Sequence, residues 1–441
     1  MSDLFRLLTL QDANTRVVLL GVMLLGLASG VVGSFAVLRR RALVGDAVAH
    51  AALPGVCIAF MIIGDRNFIA FLIGALISGI LAVVCITLLR RYTRVREDAS
   101  IAVILTAFFG LGIALSRHIQ QGGQYSGAGS RAGLDGFLLG KAASMVRQDV
   151  LAIAIVALVV LLTVWVLYKE LKLLCFDRAF AASLGRPVIG LDLLLMLLIC
   201  LCTVIGLPAV GVVLMVSLLI VPGAAARFWT NRLSTMLVLG AAFGAFAGVL
   251  GAGVSAVAPR LSAGPLIALA AAAVFALSAL LAPQSGFVWN FVRRRRLRST
   301  TLVQNYLRAL LELDEQRAPG VHSNAQLALK RAWSRVQLAR AGRIASHAGW
   351  VALSDAGATL TSAGQREAAR VLRTHRLWEL YLITHADVAP DHVDRDADAL
   401  EHILSPEIVA DLERRLIETG RLPALVPSPH PMGPTSAEAH A

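Results

Sequence analysis

Residues 42–55 read ALVGDAVAHAALPG. Asp46 and His50 are the only titratable side chains in this stretch, which opens an apolar run, 44–64, long enough to cross about 30 Å of hydrocarbon. Three arginines, Arg39–Arg41, precede it. Outward from here, comparable runs lie at roughly 17–38, 68–89, 99–116, 149–168, 190–206, 208–226, 233–257 and 265–283, so the pattern predicts an all-α polytopic membrane domain of about nine spanning helices. The pair 190–206 and 208–226, parted only by Leu207 and Pro208, is the point where the helix count depends on a single break. Beyond about residue 285 charge returns and no further apolar run of that length occurs.

The whole-chain composition fits a bilayer protein. Of the 441 residues, 57% are hydrophobic and 16% charged, with mean hydropathy +0.71, a balance that excludes an ordinary soluble protein. A formal net charge of +13 would by itself suggest nucleic acid or anionic lipid as partner. Much of that excess, however, flanks apolar runs: Arg39–Arg41, Arg90, Arg91, Arg94, Arg96 and Arg293–Arg296 are placed as orientation signals that stay on the inner side. With those segments inside, nine passes put the N-terminus outside and the C-terminus in the cytoplasm of a multi-pass inner-membrane protein. The five cysteines lie in or beside membrane runs and imply no disulfide framework, and the first residues lack the pattern of a cleaved signal. The small-residue run from Gly240 to Ala256 suits close helix packing, and the Gly/Ser-rich segment within 117–148 reads as an external loop.

Asp46 and His50, four residues apart, project from one face of a helix, and a carboxylate with an imidazole suits manganese, iron or zinc. Ionisable groups inside a bilayer are expensive and commonly mark an ion path. An equally simple reading makes Asp46 a helix cap and His50 a hydrogen-bonded bundle residue. ALVGDAVAHAALPG also resembles the second-helix signature of the ABC-3 permeases, the membrane subunits of bacterial zinc, manganese and iron importers. FLLGKAASMVRQDV (137–150), CFDRAFAASLGRP (175–187), AVGVVLMVSLLIVPGAAAR (209–227) and GAGVSAVAPRLSAGP (251–265) match in the family's order. The resemblance implies metal coordination by Asp46 and His50 in the translocation path. It also makes 175–187 the segment that docks on the partner ATPase, with Asp177, Gly185, Arg186 and Pro187 as its marked positions. The chain has no G-x-x-x-x-G-K-[ST] phosphate loop, so ATP hydrolysis is expected in a separate subunit and the chain itself is not expected to be an enzyme.

The second half reads as a soluble module. A basic linker (291–300) follows the permease region (1–290). TLVQNYLRALLELDEQ, at 301–316, puts Val303, Leu307, Leu310 and Leu311 on one face; a second helix is predicted over 324–341 and a β-hairpin over 348–364. Together these outline a winged-helix-like α+β domain, 301–365. A helical metal-binding and dimerisation region, 366–420, comes next, with helices at 365–384, 391–403 and 406–418, and then a Pro-rich tail, 421–441. His375 and Glu379 are four apart, and Asp398 and Glu401 share a face beside His402. By spacing alone these could be solvated charged faces. Residues 302–418, and above all those after Leu360, resemble the iron-dependent repressors of the diphtheria-toxin-repressor and manganese-regulator group. That resemblance implies one metal site using His375, Glu379 and Asp394, and a neighbouring one using Asp398, Glu401 and His402. Two family ligand positions fall on Asn305 and Arg308, which leaves one site incomplete. LALKRAWSRVQLARAGRIASHAG, 327–349, lacks a clear glycine turn, and its Lys330, Arg331, Arg335, Arg340 and Arg343 are candidates for DNA contact.

The expected function is therefore permease of a divalent metal, manganese foremost with iron or zinc as alternatives, regulated by a cytoplasmic metal sensor. The competing reading is a permease and DNA-binding repressor in one chain. The expected partners are an ABC ATPase subunit, an extracytoplasmic metal-binding protein, a second permease copy, membrane lipid and, in the competing reading, DNA. No organic cofactor is expected.

Overall fold

The computed structural model describes residues 13–64, 67–121, 145–257, 261–317, 319–331 and 333–385, with residues 411 and 414. The chain divides into two compact units, Met1–Asn290 and Phe291–Ala441.

In the first unit the apolar runs are helices α1 (Ala13–Leu38), α2 (Ala42–Ile63), α3 (Phe68–Tyr92), α4 (Glu97–Gln121) and α5 (Arg147–Val166). The short helices α6 (Tyr168–Phe176) and α7 (Arg178–Ser183) come next, then α8 (Val188–Val210), α9 (Val212–Trp229), α10 (Leu233–Val257) and α11 (Ala263–Leu281). Eight of these are long and apolar enough to cross a membrane; α9 is also apolar, over the shorter stretch Met215–Trp229. The break expected at Leu207–Pro208 lies instead at Gly211. Pro208 sits in the last turn of α8, and Gly211, at φ 89° and ψ 164°, ends the helix in a conformation open only to glycine.

Apolar surface does not drive helices together in lipid, so close packing must. α1 supplies it: a Cβ at Gly26 or Gly30 would overlap the carbonyl of Gly244 or Gly240 on α10, so the two backbones meet where both carry glycine at intervals of four. α1 also packs against α5, α8 and α9, while α2 packs against α3, α4, α8 and α9. The outer faces keep Ile73 and Ile77 of α3, Leu158 and Leu162 of α5 and Leu269 of α11 exposed, as lipid-facing positions require.

The second unit begins within α12 (Phe287–Arg317), so residues 291–300, expected as a linker, are helical. Val303, Tyr306, Leu307, Leu310 and Leu313 of α12 form the core with Leu327, Leu338, Ala341, Ala345, Val351 and Ala358. Leu311, expected on this face, is only partly buried. The single helix predicted over 324–341 is in fact two, α13 (Asn324–Arg331) and α14 (Arg335–His347). Ser334 starts the second: its hydroxyl accepts from the Gln337 N–H at 3.3 Å, and the Gln337 side chain accepts from the Ser334 N–H at 2.9 Å. The start of α14 therefore rests on a capping box and not on a glycine turn. β1 (Val351–Ser354) and β2 (Gly357–Leu360) pair antiparallel, Val351 opposite Leu360, as the wing, and α15 (Ser362–His385) follows. Asp314 Oδ1 holds the segment between α12 and α13. It accepts from the Gly320 N–H at 3.1 Å and meets His322 Nε2 at 2.7 Å, and the His322 backbone pairs with Ala358 of the wing.

Candidate functional site

α2 begins at a crowded polar knot. Arg40, with φ 57°, turns the chain out of α1, and Arg41 precedes α2 with its guanidinium only 2% exposed. Burying that charge requires counter-charges. Arg41 reaches Glu97 at the start of α4 at 2.9 Å and Asp192 of α8 at 2.7 Å; Arg39 bonds Asp192 at 3.0 Å and the Leu174 carbonyl of α6 at 3.1 Å; Arg90 of α3 bonds Glu97 at 3.1 Å. Burial pulls the Arg41 pKa below its ordinary value, while Asp192 and Glu97 work to raise it. Arginines that read as orientation signals thus also lock the ends of α1, α2, α3, α4 and α8 together. No sequence signal distinguished the embedded Arg41 from the exposed Arg40.

One turn into α2, Asp46 Oδ1 lies 3.5 Å from His50 Nε2, with side chains 35% and 24% exposed. The cap reading of Asp46 fails, because Arg41 holds the cap position and no side chain bonds the first turn. His50 is not a satisfied bundle residue either. Its Nδ1 is buried with no hydrogen-bond partner, and its ring meets Phe109 of α4 edge-on at 4.8 Å. A carboxylate and an imidazole therefore converge on one side of the helix, and the imidazole keeps one nitrogen without a partner. Pro54, four residues after His50, has no N–H to give the His50 carbonyl, which leaves one more oxygen there without its helical donor. α2 is held from both sides, by Ser78 of α3 donating to the Ala51 carbonyl at 2.6 Å and by Cys57 donating to the Gly112 carbonyl of α4 at 3.7 Å.

The segment 175–187 folds around α7. Asp177 caps it, its carboxylate accepting from the Phe180 N–H at 2.9 Å. Gly185 adopts φ 70° with open space where a Cβ would stand, Arg186 lies 3.7 Å from Glu170, and Pro187 leads into α8. Phe176 at the end of α6, Phe180 within α7 and Leu184 at its C-cap are all more than half exposed. Their spacing was visible in the sequence, although only the flanking Asp177, Gly185, Arg186 and Pro187 were singled out. Burial pushes the Cys175 thiol, just before the cap, up to about 11.

In the second unit, His375 and Glu379 fall on α15, but their side chains lie outside the described residues, as do Asp394, Asp398, Glu401 and His402 entirely. Among the described residues no group of three or more His, Cys, Asp or Glu side chains is placed to hold a metal. At the departures from the repressor pattern, Arg308 is buried and bonds Glu312 at 2.8 Å, while Asn305 Oδ1 is buried without a hydrogen-bond partner. Of the candidate DNA contacts, Lys330 is paired with Glu312 at 3.3 Å, and the Arg331 side chain is outside the described residues. Arg335, Arg340 and Arg343 lie on the exposed face of α14, where Arg340 also donates to Ser299 Oγ at 2.9 Å.

Comparison with known proteins agrees with this division. Residues 11–282 match the sequence profile of the ABC 3 transport family, and residues 361–427 match the iron dependent repressor, metal binding and dimerisation domain. The manganese transport system membrane protein MntC of Bacillus subtilis is 40% identical over 389 residues, 88% of each chain. The zinc transport system membrane protein TroC of Treponema pallidum is 43% identical over 297 residues, 67% of this chain and 98% of that one. Among solved structures, PsaBC from Streptococcus pneumoniae in complex with Fab superposes with a TM-score of 0.56 at 32% identity, over 64% of this chain and 96% of its own. By sequence profile, relatives and fold together, this multi-pass membrane protein belongs to the ABC 3 transport family and carries an iron-dependent-repressor-type domain at its C-terminal end.

Proposed function

We propose that the chain is the permease subunit of an ATP-driven importer of a divalent transition metal, with manganese as its principal cargo. The observation that carries this reading is the Asp46–His50 pair, joined at 3.5 Å inside an apolar helix and holding a buried imidazole nitrogen with no partner. Hard carboxylate oxygen with borderline imidazole nitrogen suits manganese or ferrous iron and also accepts zinc, so relatives named for manganese and for zinc transport fit the same donor pair. Asp46 neutralises part of the ion's charge, and His50 replaces part of its hydration. Two protein donors are fewer than a divalent ion takes, which fits a transit site that must also release its cargo. A second permease copy, a separate ATPase docking on the exposed Phe180 and Leu184 of the 175–187 segment and an extracytoplasmic metal-binding protein complete the assembly. The arginine-rich ends and the C-terminal unit face the cytoplasm.

We further propose that the C-terminal unit senses cytosolic metal through His375, Glu379, Asp394, Asp398, Glu401 and His402 and feeds back on transport. A second reading has its own support: α13 and α14 form a capped helix–turn–helix followed by a wing, and the exposed face of α14 bears Arg335, Arg340 and Arg343 without a carboxylate. That arrangement suits DNA. Uptake of manganese, ferrous iron and zinc by the chain reconstituted with its ATPase and binding protein tests the first reading. Metal-dependent, salt-sensitive retention of duplex DNA by the full chain tests the second.

A further inference from the structure

Beside the polar knot lies a cavity of about 200 Å³, lined by Thr87, Arg90 and Arg91 of α3, Arg178 of α7, and Ile189, Asp192, Leu193 and Met196 of α8. Its lining carries three arginines and one aspartate. Asp192 is already neutralised from the protein side, its two oxygens taken by Arg39 at 3.0 Å and Arg41 at 2.7 Å. Arg91 and Arg178 make no ion pair among the described residues, so positive charge at the mouth is uncompensated. From the same mouth an apolar stripe runs along α8: Ile189, Leu193 and Leu197, spaced by four, are 54%, 40% and 37% exposed.

We propose that this cavity is a binding site for a phosphate ester, the headgroup of an anionic phospholipid. Its phosphate sits between Arg91 and Arg178 with Arg90 behind, and an acyl chain follows Ile189, Leu193 and Leu197. Guanidinium groups match phosphate oxygens in charge and in fork geometry. A soluble phosphate shares the headgroup chemistry but has no use for the stripe, which is why the lipid is the source named. The bound lipid joins the short helix α7, through Arg178, to α3 and α8.

The test is native mass spectrometry of the full chain in detergent with phosphatidylglycerol or phosphatidylcholine, beside calorimetry with inorganic phosphate. Retention of phosphatidylglycerol over phosphatidylcholine is expected. The double variant Arg91→Gln, Arg178→Gln is expected to lower it about thirtyfold, roughly the worth of two basic residues near a membrane surface. The charge-matched Arg294→Gln, Arg296→Gln is expected to leave it within about twofold, which separates a site from general attraction. Arg178→Lys keeps the charge and retains part of the binding if the double variant proves unstable. Leu193→Asn weakens the lipid and spares inorganic phosphate. Arginine-dependent binding of inorganic phosphate without lipid preference assigns the same ester site to a soluble source. Equal retention of both lipids, or equal losses in both double variants with no phosphate binding, overturns the proposal.

Discussion

At the scale of single residues, the bilayer raises the stakes of each polar group. Asp46 and His50 pair within an apolar helix and leave the buried His50 Nδ1 without a partner, so Asp46→Ala or His50→Ala is expected to cut metal uptake at least about a hundredfold, the effect of losing a principal ligand from so sparse a site. The chain should still insert and bind its ATPase. Uptake of radioactive manganese in proteoliposomes checks this, and near-normal transport by either variant would remove the ligand role. Asp192 makes the opposite kind of prediction. Asp192→Asn leaves Arg39, Arg41 and Arg90 facing Glu97 alone, and breaking a buried pair in this way costs on the order of 3–5 kcal/mol. The variant is expected to melt earlier in detergent, and an unchanged melting temperature would mean that water already shields the knot. Asp46 and His50 were legible in the sequence because charge is conspicuous among apolar residues. The role of Asp192 was not, because its partners, Arg39, Arg41 and Arg90, come from three other helix ends.

At the scale of elements, the informative one is α7. Six residues long, it owes its ends to the Asp177 cap and to Gly185, whose φ of 70° a side chain resists at a cost of about 1 kcal/mol. Phe180 and, at its C-cap, Leu184 are more than half exposed among the described residues. Phe180→Ser with Leu184→Ser is therefore expected to weaken ATPase binding by about tenfold or more, roughly the loss of two buried anchors at an interface, measured by co-purification. Gly185→Trp strains the backbone beyond the same residues and is expected to lower metal imported per ATP hydrolysed. An unchanged ratio would place coupling elsewhere. The sequence motif marked this segment, but which of its apolar residues remain uncovered needed the fold, since only packing reveals it. The α13–α14 turn carries the same lesson. A helix over 324–341 has acceptable periodicity throughout, and the competing Ser334–Gln337 capping box at its centre prevailed.

At the scale of the whole molecule, two units with separate cores share one chain, so their functions can be separated experimentally. Truncation after Asn290 is expected to leave metal import intact while abolishing its inhibition by cytosolic metal. In the full chain, Glu401→Ala with His402→Ala is expected to have the same effect, because metal binding stabilises the sensing form only through its ligands. Transport measured against lumenal manganese in inside-defined vesicles checks both. Import that stays equally insensitive in the wild type would leave the C-terminal unit without a transport role.

The sequence by itself determined the membrane class, the order of the apolar helices, the Asp46–His50 pair and the two-part organisation. Each of these follows from local composition and spacing, which a bilayer reads almost directly. Tertiary structure alone decided that Gly211 and not Pro208 divides α8 from α9, that Arg41 is buried between Glu97 and Asp192, and that Arg308 is buried in the second unit and held by Glu312. Those outcomes depend on which distant side chains meet. The free energy of a buried charge is set by neighbours contributed from elsewhere in the chain, and no window of sequence contains them.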